Sequence, residues 1–151
     1  MGNCSSNDNI REYNDENAKK PNDKKKFENI VYEYLIDRYK IETQKELYDF
    51  HLIDYNIYIE VDEEHHFKSG EYESAMDQSR RDNEKNIKCL EKPSTLLRIS
   101  WFAINNGKYK KMIDKCLTKK WQDKIICSSK EVYENLNMLN GIDKDSIIYF
   151  S

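Results

Sequence analysis

The feature that most constrains this chain is a strict alternation, Ile57-Tyr58-Ile59-Glu60-Val61-Asp62. A period of two separates an apolar face from a polar one and specifies a β-strand. Glu60 and Asp62 then project from the same face, one strand repeat apart. Glu63, Glu64, His65 and His66 follow at once. Like charges crowded at one strand end repel, and a divalent cation would remove that repulsion. Oxygen-rich ligands with little sulfur suit magnesium, with manganese as the alternative.

A second short apolar run, residues 47–53, precedes this strand, and Asp54-Tyr55-Asn56 separates the two. Asp and Asn are common turn residues, so the spacing predicts a β-hairpin. Asp49 is then a lone acid in an apolar strand, placed to approach Glu60 across the hairpin. An acid on one strand, two on the next and a histidine just beyond suit metal-assisted phosphodiester cleavage.

Asp49-Phe50, Ile59-Glu60-Val61-Asp62 and His66-Phe67, followed by Asp82-Asn83-Glu84-Lys85 and Leu96-Leu97-Arg98-Ile99, resemble the signature of small PD-(D/E)XK nucleases. The branch they are similar to is that of the very-short-patch-repair endonucleases. The resemblance covers roughly residues 27–102. It implies an α/β restriction-endonuclease-like core in the order helix, β-hairpin or meander, helix, strand. A mixed central sheet with flanking helices is expected, here with a helical C-terminal extension. It also implies hydrolysis of DNA with magnesium. Asp49, Glu60 and the Val61 carbonyl would hold the metal, and His66 would move a proton as base or acid. Asp62 would hold a second ion or orient His66. Two departures stand out: Glu63 replaces the usual glycine, and Asp62 stands where the better-known branch carries lysine. Lys85 of the D-x-x-K match is the candidate for the missing cation.

With 151 residues the chain is expected to form one domain with a real core. Charged residues make up 35% and the net charge is -3, so unfocused nucleic-acid binding is disfavoured while a local basic face is not. Cys4, Cys89, Cys116 and Cys127 show no C-x-x-C pair, so reduced thiols inside a cell are expected.

Residues 1–23 are polar and aperiodic and are expected to be disordered, leaving 24–151 as the nuclease-like domain. The start, Met1-Gly2-Asn3-Cys4-Ser5-Ser6, fits an acylation pattern, with Gly2 and Cys4 as lipid sites and a membrane as partner. A helix is expected over 24–39, with Phe27, Ile30, Val31, Tyr34 and Leu35 as its apolar stripe. Glu28 at the stripe's edge is a candidate ligand acting through a water, whereas Glu33 lies outside it.

The helix expected over 71–91 has the stripe Tyr72, Met76, Ile87 and Leu90. Asp82 lies outside that stripe and Lys85 nearly opposite it, so periodicity selects neither. Residues 95–102 read as a central strand, in which Arg98 either meets a phosphate or pairs with one of the acids. Seven lysines against two acids over 108–124 offer a phosphate-facing surface, with Lys110, Lys111, Lys119 and Lys120 as contacts. A last helix to about Leu139, capped by Ser128 or Ser129, and a strand near Ile147 complete the chain. The rival to a nuclease is a binding protein on the same fold that lacks turnover and is held at a membrane.

Overall fold

A computed structural model describes residues 2–44, 47–63, 72–117, 121–134 and 137–150. The alternating run forms β3 (Ile57–Asp62), and all six of its residues are buried. A strand buried on both faces needs cover on both sides, which an α/β layering supplies. β3 is the third strand of a six-stranded mixed sheet, in the order β1 (Ile41–Thr43), β2 (Phe50–Leu52), β3, β4 (Thr95–Ser100), β5 (Ile125–Cys127), β6 (Ile147–Tyr149). β2 runs antiparallel to both of its neighbours, β1 and β3, whereas β3, β4, β5 and β6 are parallel. The chain is thus α/β, with a mixed sheet flanked by helices.

The expected hairpin is β2–β3, with Phe50 opposite Ile59. Its turn closes at Asn56, whose φ of 53° lies in the left-handed region that asparagine tolerates. Parallel pairs need crossovers, and their helices divide between the two faces. Helices α2 (Lys26–Leu35), α4 (Trp101–Asn105) and α5 (Tyr109–Lys115) cover the face carrying Ile57, Ile59, Val61, Leu97, Ile99 and Ile126. The other face carries Tyr58, Leu96, Ile125 and Cys127. Over it lie α3 (Tyr72–Leu90), α6 (Lys130–Tyr133) and a 3-10 turn at Asn137–Leu139.

Two expectations are corrected here. The N-terminal tail is not disordered over its length, because Gly2–Asn17 forms α1. Its anchor is Asn14, which is fully buried. Asn14 Nδ2 donates to the carbonyls of Ile36 (2.7 Å) and Tyr39 (2.8 Å), and Oδ1 accepts from the Ile41 amide (2.9 Å). One side chain thereby satisfies the backbone between α2 and β1, a long-range role that composition does not reveal. The C-terminal third is also not a purely helical extension: β5 and β6 continue the parallel sheet, and α6 spans four residues. Ser129 does cap α6, its Oγ accepting from the Val132 amide at 3.3 Å. Among the described residues no helix is long and apolar enough to cross a membrane.

Replacing Asn14 with Ala strands three buried backbone groups. The expected loss is about 2–4 kcal/mol of unfolding free energy, read as a lower midpoint in urea. An unchanged midpoint would mean that α1 contributes nothing to the fold.

Candidate active site

The hairpin brings Asp49 beside Glu60. The Glu60 carboxylate Oε1 accepts from the Asp49 amide at 2.9 Å, and Asp49 Oδ2 accepts from the Val61 amide at 2.9 Å. The two residues therefore orient each other across the strand pair. Glu28, buried at the start of α2, lies close enough for its charge to act on Asp49. It also holds Lys25 at 3.5 Å and accepts from Gln44 at 3.4 Å. Three carboxyls from three elements thus converge where the sequence placed them, while Glu33 is exposed.

This crowding shows in their acidities. Burial first, and then the charge of Glu28, raise Asp49 to about 7. Burial first, and then the charge of Asp49, raise Glu60 to about 8. Glu28 is raised by burial despite Lys25. Carboxyls held this close bind protons unless a cation takes their place.

The cation already present is Lys85. Its Nζ stands 2.8 Å from Glu60 Oε2, on the side away from the Asp49 amide. Burial acts to lower Lys85, but the charge of Glu60, its hydrogen bond and the charge of Asp49 outweigh it, so the net shift is upward and the ammonium is kept. Helical periodicity points the other way, and the reason is physical. The strands beneath α3 present Glu60, Asp62 and Arg98, so the inward face of α3 is polar. Asp82 and Asn86 are fully buried with Cys89, whereas Ile87, expected in the apolar stripe, is 42% exposed. Hydrophobic phasing fails wherever the surface to be covered is charged.

Arg98 is corrected from a phosphate contact to an ion-pair partner. It is fully buried, its Nη1 reaching Asp62 Oδ1 at 2.9 Å and Oδ2 at 3.1 Å. Its Nε donates to Asn86 Oδ1 at 2.8 Å and its Nη2 to the Asp82 carbonyl at 2.9 Å. Tyr133 OH donates to Asp62 Oδ2 at 2.7 Å. Tyr133 and Asn86 were not legible as site residues, since nothing local marks them. Glu60, Asp62 and Asp82 each bring a carboxylate oxygen within 4.8 Å of the others, a buried acidic group that could hold a metal ion. Asp62 enters that group with both oxygens already engaged by Arg98 and Tyr133.

His65 and His66 lie outside the described residues, as do Lys119 and Lys120. Lys110 and Lys111 are exposed on α5, with Met112 and Ile113 turned inward as expected. Lys110 lies over the rings of Tyr34 and Tyr109. Gly2 opens α1, and the side chain of Cys4 lies outside the described set. No family model, no curated protein and no solved structure matches this chain.

Two predictions follow from the charges. Truncating Arg98 to Ala leaves the buried Asp62 carboxylate without the guanidinium charge, and the expected loss is about 3–5 kcal/mol in chemical unfolding. A loss below 1 kcal/mol would return Arg98 to the surface as a phosphate contact. The second concerns pH. Unfolded, both carboxyls release their protons at about pH 4, but folded, Asp49 and Glu60 hold them to about 7 and about 8. The folded state binds more protons in between, so without divalent ions their contribution to stability is full below pH 4 and declines towards pH 8. Glu60→Gln should flatten the decline of melting temperature measured in a chelator. Identical slopes for parent and variant would place the two carboxyls in water.

Proposed function

We propose that this chain is a metal-dependent endonuclease hydrolysing phosphodiester bonds of DNA, on a restriction-endonuclease-like core. The observation that carries this reading is Lys85 Nζ at 2.8 Å from Glu60 Oε2, with the backbone amide of Asp49 donating to the other oxygen of that carboxylate. Acid, acid and lysine form one constellation although the lysine comes from a different element than the acids.

The donor set fits a hard cation. Asp49, Glu60 and the Val61 carbonyl offer oxygen only, and the like charges of Glu28, Asp49 and Glu60 leave a charge to be neutralised. Magnesium, with manganese as alternative, would supply Lewis-acid neutralisation of the phosphate and acidify a water there. Glu28 would act through a water. Lys85 holds a fixed positive charge beside the place where phosphate oxygens gain negative charge, and a preorganised charge stabilises that transition state. Lys85 is held in place by its hydrogen bond to Glu60 and is assigned an electrostatic role, not that of a base. Proton transfer is assigned to His66. Asp62 orients the sheet end through Arg98. The exposed Lys110 and Lys111 would meet the DNA backbone, a role the sequence also assigns to Lys119 and Lys120.

Incubation with plasmid and single-stranded DNA, with and without magnesium, tests the proposal. Asp49→Ala and Glu60→Ala should abolish cutting, and Lys85→Met should slow it roughly a hundredfold or more. Lys85→Met should keep a magnesium-dependent rise in melting temperature that Glu60→Ala loses. Parental cutting rates in all three variants would remove the site from the chemistry.

A further inference from the structure

A cavity of about 540 Å³ opens beyond the ends of β4, β5 and β6, lined by Ser100, Trp101, Phe102, Lys108, Ser128, Lys130, Tyr149 and Phe150 among others. Its size falls in the range of small-ligand sites. Ser100 on its floor is in register with Asp62 on β3. Adjacent strands lie about 4.8 Å apart, so the cavity begins one strand away from Asp62, at the same end of the sheet. In α/β sheets that end is where ligands gather.

The hydroxyls of the floor are already used. Ser100 Oγ and Ser128 Oγ lie 3.1 Å apart, and each also accepts a backbone N–H, Ser100 from Ala103 and Ser128 from Ser100. Ser129 Oγ caps α6. What the cavity offers a ligand is therefore ring surface. Phe102, in the first turn of α4, is 59% exposed, the largest exposure among the exposed large hydrophobic residues. Trp101, Tyr149 and Phe150 are half-buried around it. Lys108 and Lys130 are exposed lining residues, Lys130 lying 3.6 Å from Glu134 in an exposed ion pair, with Glu131 as the acid among the lining residues. Lys108 also begins the lysine-rich segment.

We propose that this cavity is a nucleobase subsite. In this reading, which rests on the DNA endonuclease proposal, it takes an unpaired base about one or two nucleotides along the strand from the scissile phosphate. Phe102 supplies the stacking face, and Lys108 and Lys130 meet the flanking phosphates. A flat aromatic face beside ammonium groups matches a base next to a phosphate and accepts any base, because every base has a π-face. A base held in a duplex cannot enter without losing its pair, so the subsite selects single-stranded DNA.

The test is binding of a labelled deoxyoligonucleotide, single-stranded or annealed, measured by anisotropy in a chelator so that nothing is cut. Phe102→Ala should weaken single-strand binding roughly tenfold, the effect of losing one stack, and leave duplex binding unchanged. Phe102→Tyr, which keeps the ring, should retain parental affinity. Because Phe102 is exposed, both variants should melt with the parent. Equal affinity of Phe102→Ala and parent for single strands overturns the subsite. So does an equal loss for both DNA forms, or no DNA binding by the parent. A plasmid assay run alongside separates the two proposals. No magnesium-dependent cutting with an intact Phe102 effect removes the nuclease and keeps the base subsite. Cutting without a Phe102 effect does the reverse.

Discussion

One buried ion pair organises the acidic end of the sheet. Arg98 and Asp62 are each fully buried, and neither is tolerable alone in that position. The pair is further bonded: Asn86 accepts from Nε, the Asp82 carbonyl from Nη2, and Tyr133 donates to Asp62. Such a network is a poor argument for net stability, since desolvation offsets much of the attraction. Its value here is geometric. Asn86 and Asp82 belong to α3 and Tyr133 to α6, so a single guanidinium sets where both helices lie on the sheet. Lys85 is one residue from Asn86, and Arg98 thereby fixes how far Lys85 must reach to meet Glu60.

The site stands where the sheet changes character. β3 pairs antiparallel with β2 and parallel with β4. The antiparallel side can be closed by a short turn, which brings Asp49 opposite Glu60 within a dozen residues of chain. The parallel side requires a crossover, and the 19-residue α3 supplies it. The crossover returns a polar helical face over the same carboxylates. Local pairing places the acids, and the crossover places the lysine. Beyond the ends of the parallel strands the backbone turns away into short helices, and a ring-lined cavity is left there.

Much of this was legible in the residues. The alternation of Ile57–Asp62, the turn at Asn56, the stripe of α2 with Glu28 at its edge and the pairing of Asp49 with Glu60 depend on neighbours close in sequence. The phasing of α3 was not legible. Its inward face carries Asp82 and Asn86 because charged strand residues lie beneath it, and a hydrophobic pattern cannot report a polar interface. The helical N-terminus was missed for a related reason: its anchor, Asn14, bonds to backbone groups more than twenty residues away. β5 is three residues long, too short for a period to show, and exists because β4 and β6 pair with it.

By itself the sequence determined which residues alternate, where the chain turns and which acids share a strand face, because these follow from backbone geometry within a few residues. Only the tertiary structure decided which charges meet. Arg98 had two equal readings, as a phosphate contact or as an acid's partner. The choice fell to the ion pair because β3 and β4 lie side by side in parallel with Glu60 opposite Arg98 and Asp62 opposite Ser100. Lys85 was outside every apolar pattern and reached Glu60 because α3 crosses that face. Coulomb interactions and hydrogen bonds act over ångströms in space whatever the distance along the chain, and contacts of that kind become visible only when the elements are assembled.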